Sequence, residues 1–201
     1  MTVDPTERYQ AAVAAIDAAN ADDPNILRVD GEDRPKELAH AEMLSNWVIR
    51  FRPEASEELL LAARAHHVRR WEHPRSDYPE GRNGYLRWRR EQRAFHADLT
   101  RTILLDTGYD EAAVTRVGEI LQKRALGNDP EVQAFEDGLC LVFLETQFDE
   151  LSAKTGRAKM VEIVHKTVKK MSEAGREASA GIELSADGKS IVAEAFQPGT
   201  E

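Results

Sequence analysis

Imidazoles and carboxylates set inside apolar stripes of helical period constrain this chain more than any other feature. His40, His66–His67, His96 and Glu136–Asp137 fall on four separate predicted helices, each in register with large apolar residues. A polar side chain on a buried face needs a partner, because leaving it unpaired costs on the order of several kcal/mol. One shared metal ion would satisfy all of them, since neutral imidazole and carboxylate are common ligands of Zn, Fe and Mn. For each histidine taken singly, a hydrogen bond to backbone or carboxylate is the plainer alternative.

The apolar periodicity is helical nearly throughout. It predicts helices over about 4–20, 35–51, 53–71, 84–107, 110–125, 129–153 and 157–172. Pro35 suits a first helical turn, and Gly108 suits a C-terminal cap. Asp30-Gly31 reads as part of a polar loop, and residues 73–83, with two prolines and a glycine, read as irregular. Residues 173–201 read as an appendage. Within it, Asp187-Gly188 between short apolar runs is a weak hairpin signal, and the rest is expected to be partly disordered. The expected architecture is all-α: a helical domain of about seven helices over 1–172, followed by the 173–201 tail.

At 201 residues the chain can bury a core without disulfides, and its single Cys140 cannot form an internal bridge. The first ten residues lack a signal-peptide pattern, and no stretch is apolar enough to span a bilayer. A cytoplasmic protein with no membrane partner is the expectation. A net charge of −9 argues against nucleic acid as a partner. Residues 64–93 run against that balance, with nine arginines and four acids. Guanidinium matches phosphate and carboxylate geometry, so Arg69, Arg70, Arg75 and Arg82 are candidates to bind a small anionic substrate. Pairing with acidic surface is the alternative. Tyr85, Arg82 and Arg87 could line a pocket mouth, while His73 and His165 read as surface residues.

Several segments together resemble the uncharacterised family called domain of unknown function 4202. They are RPKEL at 34–38, LAARAHHVRRW at 61–71, GYLRWR at 84–89, FHAD at 95–98 and FEDGLCLVFLE at 135–145. The resemblance covers roughly residues 7–175 and implies no activity. The order of histidines and a last aspartate on successive helices is also distantly similar to the HD-domain superfamily of metal-dependent phosphohydrolases. Carried over, His40 matches the first histidine, His66–His67 stand at the His-Asp pair, His96 matches a later histidine and Asp137 the final aspartate. His67 stands where that superfamily has aspartate, so either the register slips by one or other atoms bind the ion.

The combined reading is a hydrolase of a small phosphorylated metabolite or nucleotide, with one divalent transition metal and a metal-bound hydroxide as nucleophile. His40, His67, His96 and Asp137 are the expected ligands. His66, Glu136 and Lys123 are the expected catalytic or supporting groups. The alternative is a non-catalytic helical ligand-binding or regulatory protein whose histidines complete a polar core. A homodimer is compatible with either.

Overall fold

The computed structural model describes residues 5–195. The expected helix start at Asp4 and the last six residues of the tail lie outside that range. Ten α-helices, two short 3-10 turns and one two-stranded hairpin make up the described chain, which divides into two compact units, 1–124 and 125–201. The all-α expectation holds, with ten helices in place of about seven. No described helix is long and apolar enough to cross a membrane.

The first unit contains α1 (Pro5–Ala21), β1 (Ile26–Val29), β2 (Glu32–Pro35), α2 (Lys36–Phe51), α3 (Glu57–Ala65), α4 (Gly81–Asp106) and α5 (Glu111–Leu121). Helix α2 packs on α3, and α3 on α5. Helix α1 rests against α2, α3 and α4, while α4 also packs on α5. The shared core is aliphatic, built from Ile16, Leu44, Val48, Leu59, Leu61, Val117 and Ile120 among others. Ser56 caps α3 by accepting from the Leu59 amide at 3.1 Å, and Asp110 caps α5 through the Ala113 amide at 2.9 Å.

The hairpin belongs at Asp30-Gly31, not at 187–188. Both turn residues have positive φ (51° and 85°), which a two-residue turn matched to strand twist requires. β1 and β2 pair antiparallel, Val29 opposite Glu32 and Ile26 opposite Pro35. The third helix also ends early, at Ala65 rather than about 71, because Arg69 turns left-handed at φ 50°.

The second unit contains α6 (Pro130–Thr146), α7 (Phe148–Lys154), α8 (Arg157–Val168), α9 (Glu173–Ser179) and α10 (Ala186–Ala195). Helix α6 packs on α7 and α9, and α10 packs on α7 and α8. The helix expected over 129–153 is two helices that break at Gln147. The expected tail, as far as Ala195, is two helices held by one device used twice. Asp137 accepts from the amide (2.8 Å) and hydroxyl (2.6 Å) of Ser172, whose Oγ accepts from the Gly175 amide at 3.1 Å. Asp149 accepts likewise from Ser185 (3.0 and 2.7 Å), whose Oγ accepts from the Gly188 amide at 3.0 Å. Each serine is thus a helix N-cap, locked by an aspartate of an earlier helix. That is why Asp187-Gly188 lies at a helix start: Gly188 fills the third position after the capping Ser185.

Both glycines are required by space. A Cβ on Gly175 would lie 2.6 Å from Asp137 Oδ1, and one on Gly188 2.7 Å from Asp149 Oδ1. Gly118, inside α5, has nothing within 4 Å of such a Cβ. Gly175→Ala is therefore expected to lower unfolding free energy by about 1–3 kcal/mol through overpacking. Gly118→Ala should raise it by about 0.5–1 kcal/mol through better helix propensity. Urea melts of the two variants check this, and equal effects would contradict the capping account.

Candidate metal centre

The site begins with how α2 is entered. Pro35 caps it without a side-chain hydrogen bond, so the first amides of the helix need other acceptors. Asp23, 4% exposed, supplies one: its Oδ2 accepts from the Glu37 amide at 2.9 Å, while Oδ1 accepts from the Asn25 amide and side chain. Glu37 is thereby fixed in the first turn of α2 and buried, one turn before His40 on the same face.

The carboxylate of Glu37 meets two imidazoles. Its Oε2 lies 3.0 Å from His67 Nδ1 and 3.4 Å from His40 Nδ1. One ligand atom from each of Glu37, His40 and His67 lies within 4.8 Å of the others, a group able to hold a metal ion. The His66 ring lies 4.0 Å from that of His67, centroid to centroid, and the His96 ring, on α4, lies 5.6 Å from it. His66 Nδ1 is 3.2 Å from the Ala63 carbonyl. His96 Nε2 is buried and has no hydrogen-bond partner.

Burial dominates the electrostatics. It pushes His67 down to about 4, with the Arg70 charge adding to it and Glu37 opposing. It pushes His96 to about 2, reinforced by His67 and Arg70, and holds His66 well below the ordinary histidine range. Burial alone would raise Glu37, but His67 and then His40 outweigh it and hold the carboxyl well below its usual range. Near neutral pH, His66, His67 and His96 are therefore neutral and Glu37 is ionised, the protonation states that metal ligation needs. In those states His67 donates through Nδ1–H to the carboxylate. An ion held by all three residues would displace that proton, so metal binding here is coupled to proton release.

Arg70 borders the group. Its guanidinium stacks 4.8 Å over the Trp88 ring, and its Nε is 4.0 Å from Glu37 Oε1. Burial, with Arg89 nearby, weakens its hold on its proton while Glu37 opposes. A partly desolvated cation with only a distant carboxylate is ready to receive an anion. The other arginines differ. Arg69 pairs with Glu72, and Arg75 donates to the carbonyls of Tyr78 and Pro79, both at 2.8 Å. Arg82 is exposed, and Arg87 pairs with Glu91 at 2.8 Å. Of the four expected anion-binding arginines, only Arg70 is placed at this group, with Arg89 close enough for its charge to act on Arg70.

Of the expected ligands, the structure places His40 and His67 in the group and His96 beside it. The acidic member is Glu37, which the sequence reading did not single out; its signal is the three-residue spacing to His40. Asp137 has both carboxylate oxygens engaged in the second unit, by Ser172 and by Gln133 Nε2 at 3.1 Å. Glu136 is buried, with Lys170 Nζ 3.8 Å from its Oε1. Lys123 lies in the left-handed turn after α5, at φ 58°. His165 Nδ1 is 3.2 Å from the Ala195 carbonyl, and the His73 carbonyl accepts from Trp88 and Gln92, so both are structurally engaged.

A family model described as Domain of unknown function (DUF4202) matches residues 10–192. The chain belongs to that family. No curated protein and no solved structure matches it. The DUF4202 match takes in every residue of the group and extends into both units.

The neutral imidazoles set a pH dependence. Unfolded His67 takes up a proton near pH 6.5, whereas folded His67 does so only near 4. Between those values the unfolded state binds more protons, so stability is lost as pH falls. Glu37, with its folded value depressed, acts in the same direction at still lower pH. For protein held in chelator, urea melts should lose on the order of 2 kcal/mol between pH 7 and 4.5 on account of His67. His67→Gln should flatten that part of the profile, and an unaltered profile in the variant would contradict the assignment.

Proposed function

We propose that this protein is a metal-dependent hydrolase acting on small phosphorylated compounds. The observation that carries the reading is the convergence of Glu37, His40 and His67 in the first unit. The donor set fits a divalent transition ion: two imidazoles and an ionised carboxylate, with a buried, unpartnered Nε2 on His96 alongside. Glu37, His40 and His67 would hold the ion. When bound there, such an ion supplies Lewis-acid chemistry, polarising a phosphoryl oxygen and lowering the pKa of water.

The chain's own groups supply the rest. Without an ion, Glu37 orients the His67 ring by accepting its Nδ1–H. Arg70, backed by the face of Trp88, offers its planar guanidinium to phosphate oxygens, with Arg89 adding positive charge. Cations held this way counter the charge that develops on phosphorus during displacement. Asp137 enters this reading as the lock on a helix cap and not as a ligand.

One observation favours a second reading. Glu37 already accepts from both imidazoles, so the polar core is largely satisfied without an ion. A helical ligand-binding or regulatory protein would look the same at these three residues. Elemental analysis of purified protein, joined to a phosphatase panel, separates the two. The hydrolase reading predicts near-stoichiometric transition metal and measurable phosphate release. His67→Ala should weaken metal binding by roughly 10–100-fold or more and abolish release. Arg70→Ala should lower kcat/KM by about 100-fold with metal content retained. Metal-free, inactive wild-type protein would favour the second reading.

A further inference from the structure

The turn that carries His67 and Arg70 runs against the preferences of its own backbone. Residues 66–69 leave α3 and reverse direction at Arg69, which adopts φ 50°, ψ 35°, a conformation that side chains with a Cβ disfavour. Such a residue persists only where its surroundings over-determine it. Three side chains from other helices do so here. Asn20 of α1 accepts from the Arg69 amide through Oδ1 at 3.0 Å. Gln92 of α4 donates through Nε2 to the carbonyls of Arg70 and His73, both at 3.0 Å. Trp88, one turn earlier on α4, donates Nε1 to the same His73 carbonyl at 2.9 Å.

The two amides hold the turn at a cost. Asn20 is fully buried and Gln92 nearly so, yet Asn20 Nδ2 and Gln92 Oε1 have no hydrogen-bond partner. A buried polar atom left unpaired is unfavourable, so each amide leaves one half unsatisfied while its other half grips the turn backbone. The gripped stretch contains Arg70 and directly follows His67, the two groups that reach Glu37 from outside α2.

We infer that Asn20 and Gln92 are positioning residues for the candidate metal centre. They pin the left-handed turn at Arg69 and so fix where His67 presents its imidazole to Glu37 and His40. The inference rests on the metal reading above, but the pins themselves are testable without an ion. Neither residue touches a proposed ligand atom; each acts through the backbone.

The test is a Co(II) titration, followed by visible absorption, of wild type, Asn20→Ala, Gln92→Met and Asp110→Ala. The last removes the α5 cap and serves as a destabilised control away from the turn. The two turn variants should bind Co(II) about 10–100-fold more weakly, the range seen for outer groups that orient ligands, and the control should bind as wild type does. Adding Arg69→Gly to Asn20→Ala should recover most of the affinity, because glycine takes positive φ without a pin. If one turn variant does not fold, the other carries the comparison. Wild-type affinity in the turn variants, or no recovery with Arg69→Gly, overturns the positioning role. Absence of Co(II) binding by wild type overturns the metal reading instead, and hydrogen exchange then decides the pins. A protected Arg69 amide that becomes fast in Asn20→Ala supports them; an unprotected one in wild type overturns them.

Discussion

A single buried carboxylate organises the first unit. Glu37 sits in the core, accepts from His40 and His67, and faces Arg70 across 4.0 Å. An ionised group in that position is tolerable only with donors and positive charge around it. The surrounding chain supplies them from three directions: the same helix, the turn after α3, and the stacked arginine against α4. Remove Glu37 and the half-buried imidazole of His67 loses the acceptor for its Nδ1–H.

The elements nearest the site are correspondingly held by side-chain hydrogen bonds as well as by apolar packing. Asp23 fixes the first turn of α2, and Asn20, Trp88 and Gln92 fix the turn after α3. Gly84 lets the loop before α4 lie against it, since a Cβ there would fall 1.8 Å from the Pro79 carbonyl oxygen. The inward face of α4 is polar over two turns, with Gln92, His96 and Thr100 all buried. A helix that buries such residues has given up apolar contact that a plain core would keep. The second unit follows a different rule: its carboxylates at 137 and 149 lock helix caps.

Much of this was legible in the residues. The 3.6-residue stripes placed the helices, and the histidines in those stripes pointed to His40, His67 and His96 as a set. Glu37 escaped because a glutamate in the first turn of a helix is ordinarily a response to the helix dipole; its spacing from His40 was the clue. The stripe of Asp137 does mark burial, yet burial says nothing about which donor a carboxylate meets, and here it meets Ser172. The Asp-Gly pairs show the same gap. At 30–31 the flanking residues could pair as strands, while at 187–188 Ser185 stood ready as a cap, and the cap prevailed. Nothing local foretold the left-handed Arg69, which is held by Asn20, 49 positions earlier, and by Gln92, which grips the Arg70 carbonyl from 22 positions later.

The central claim is that Glu37, His40 and His67 form a place for an ion. Anomalous diffraction from crystals soaked in or grown with Zn, Mn or Co tests it most directly. The account predicts one strong peak within coordinating distance of those three side chains, with Arg70 and Trp88 at its border. Crystals that show no peak there, with Glu37 still bridging both imidazoles, would contradict it.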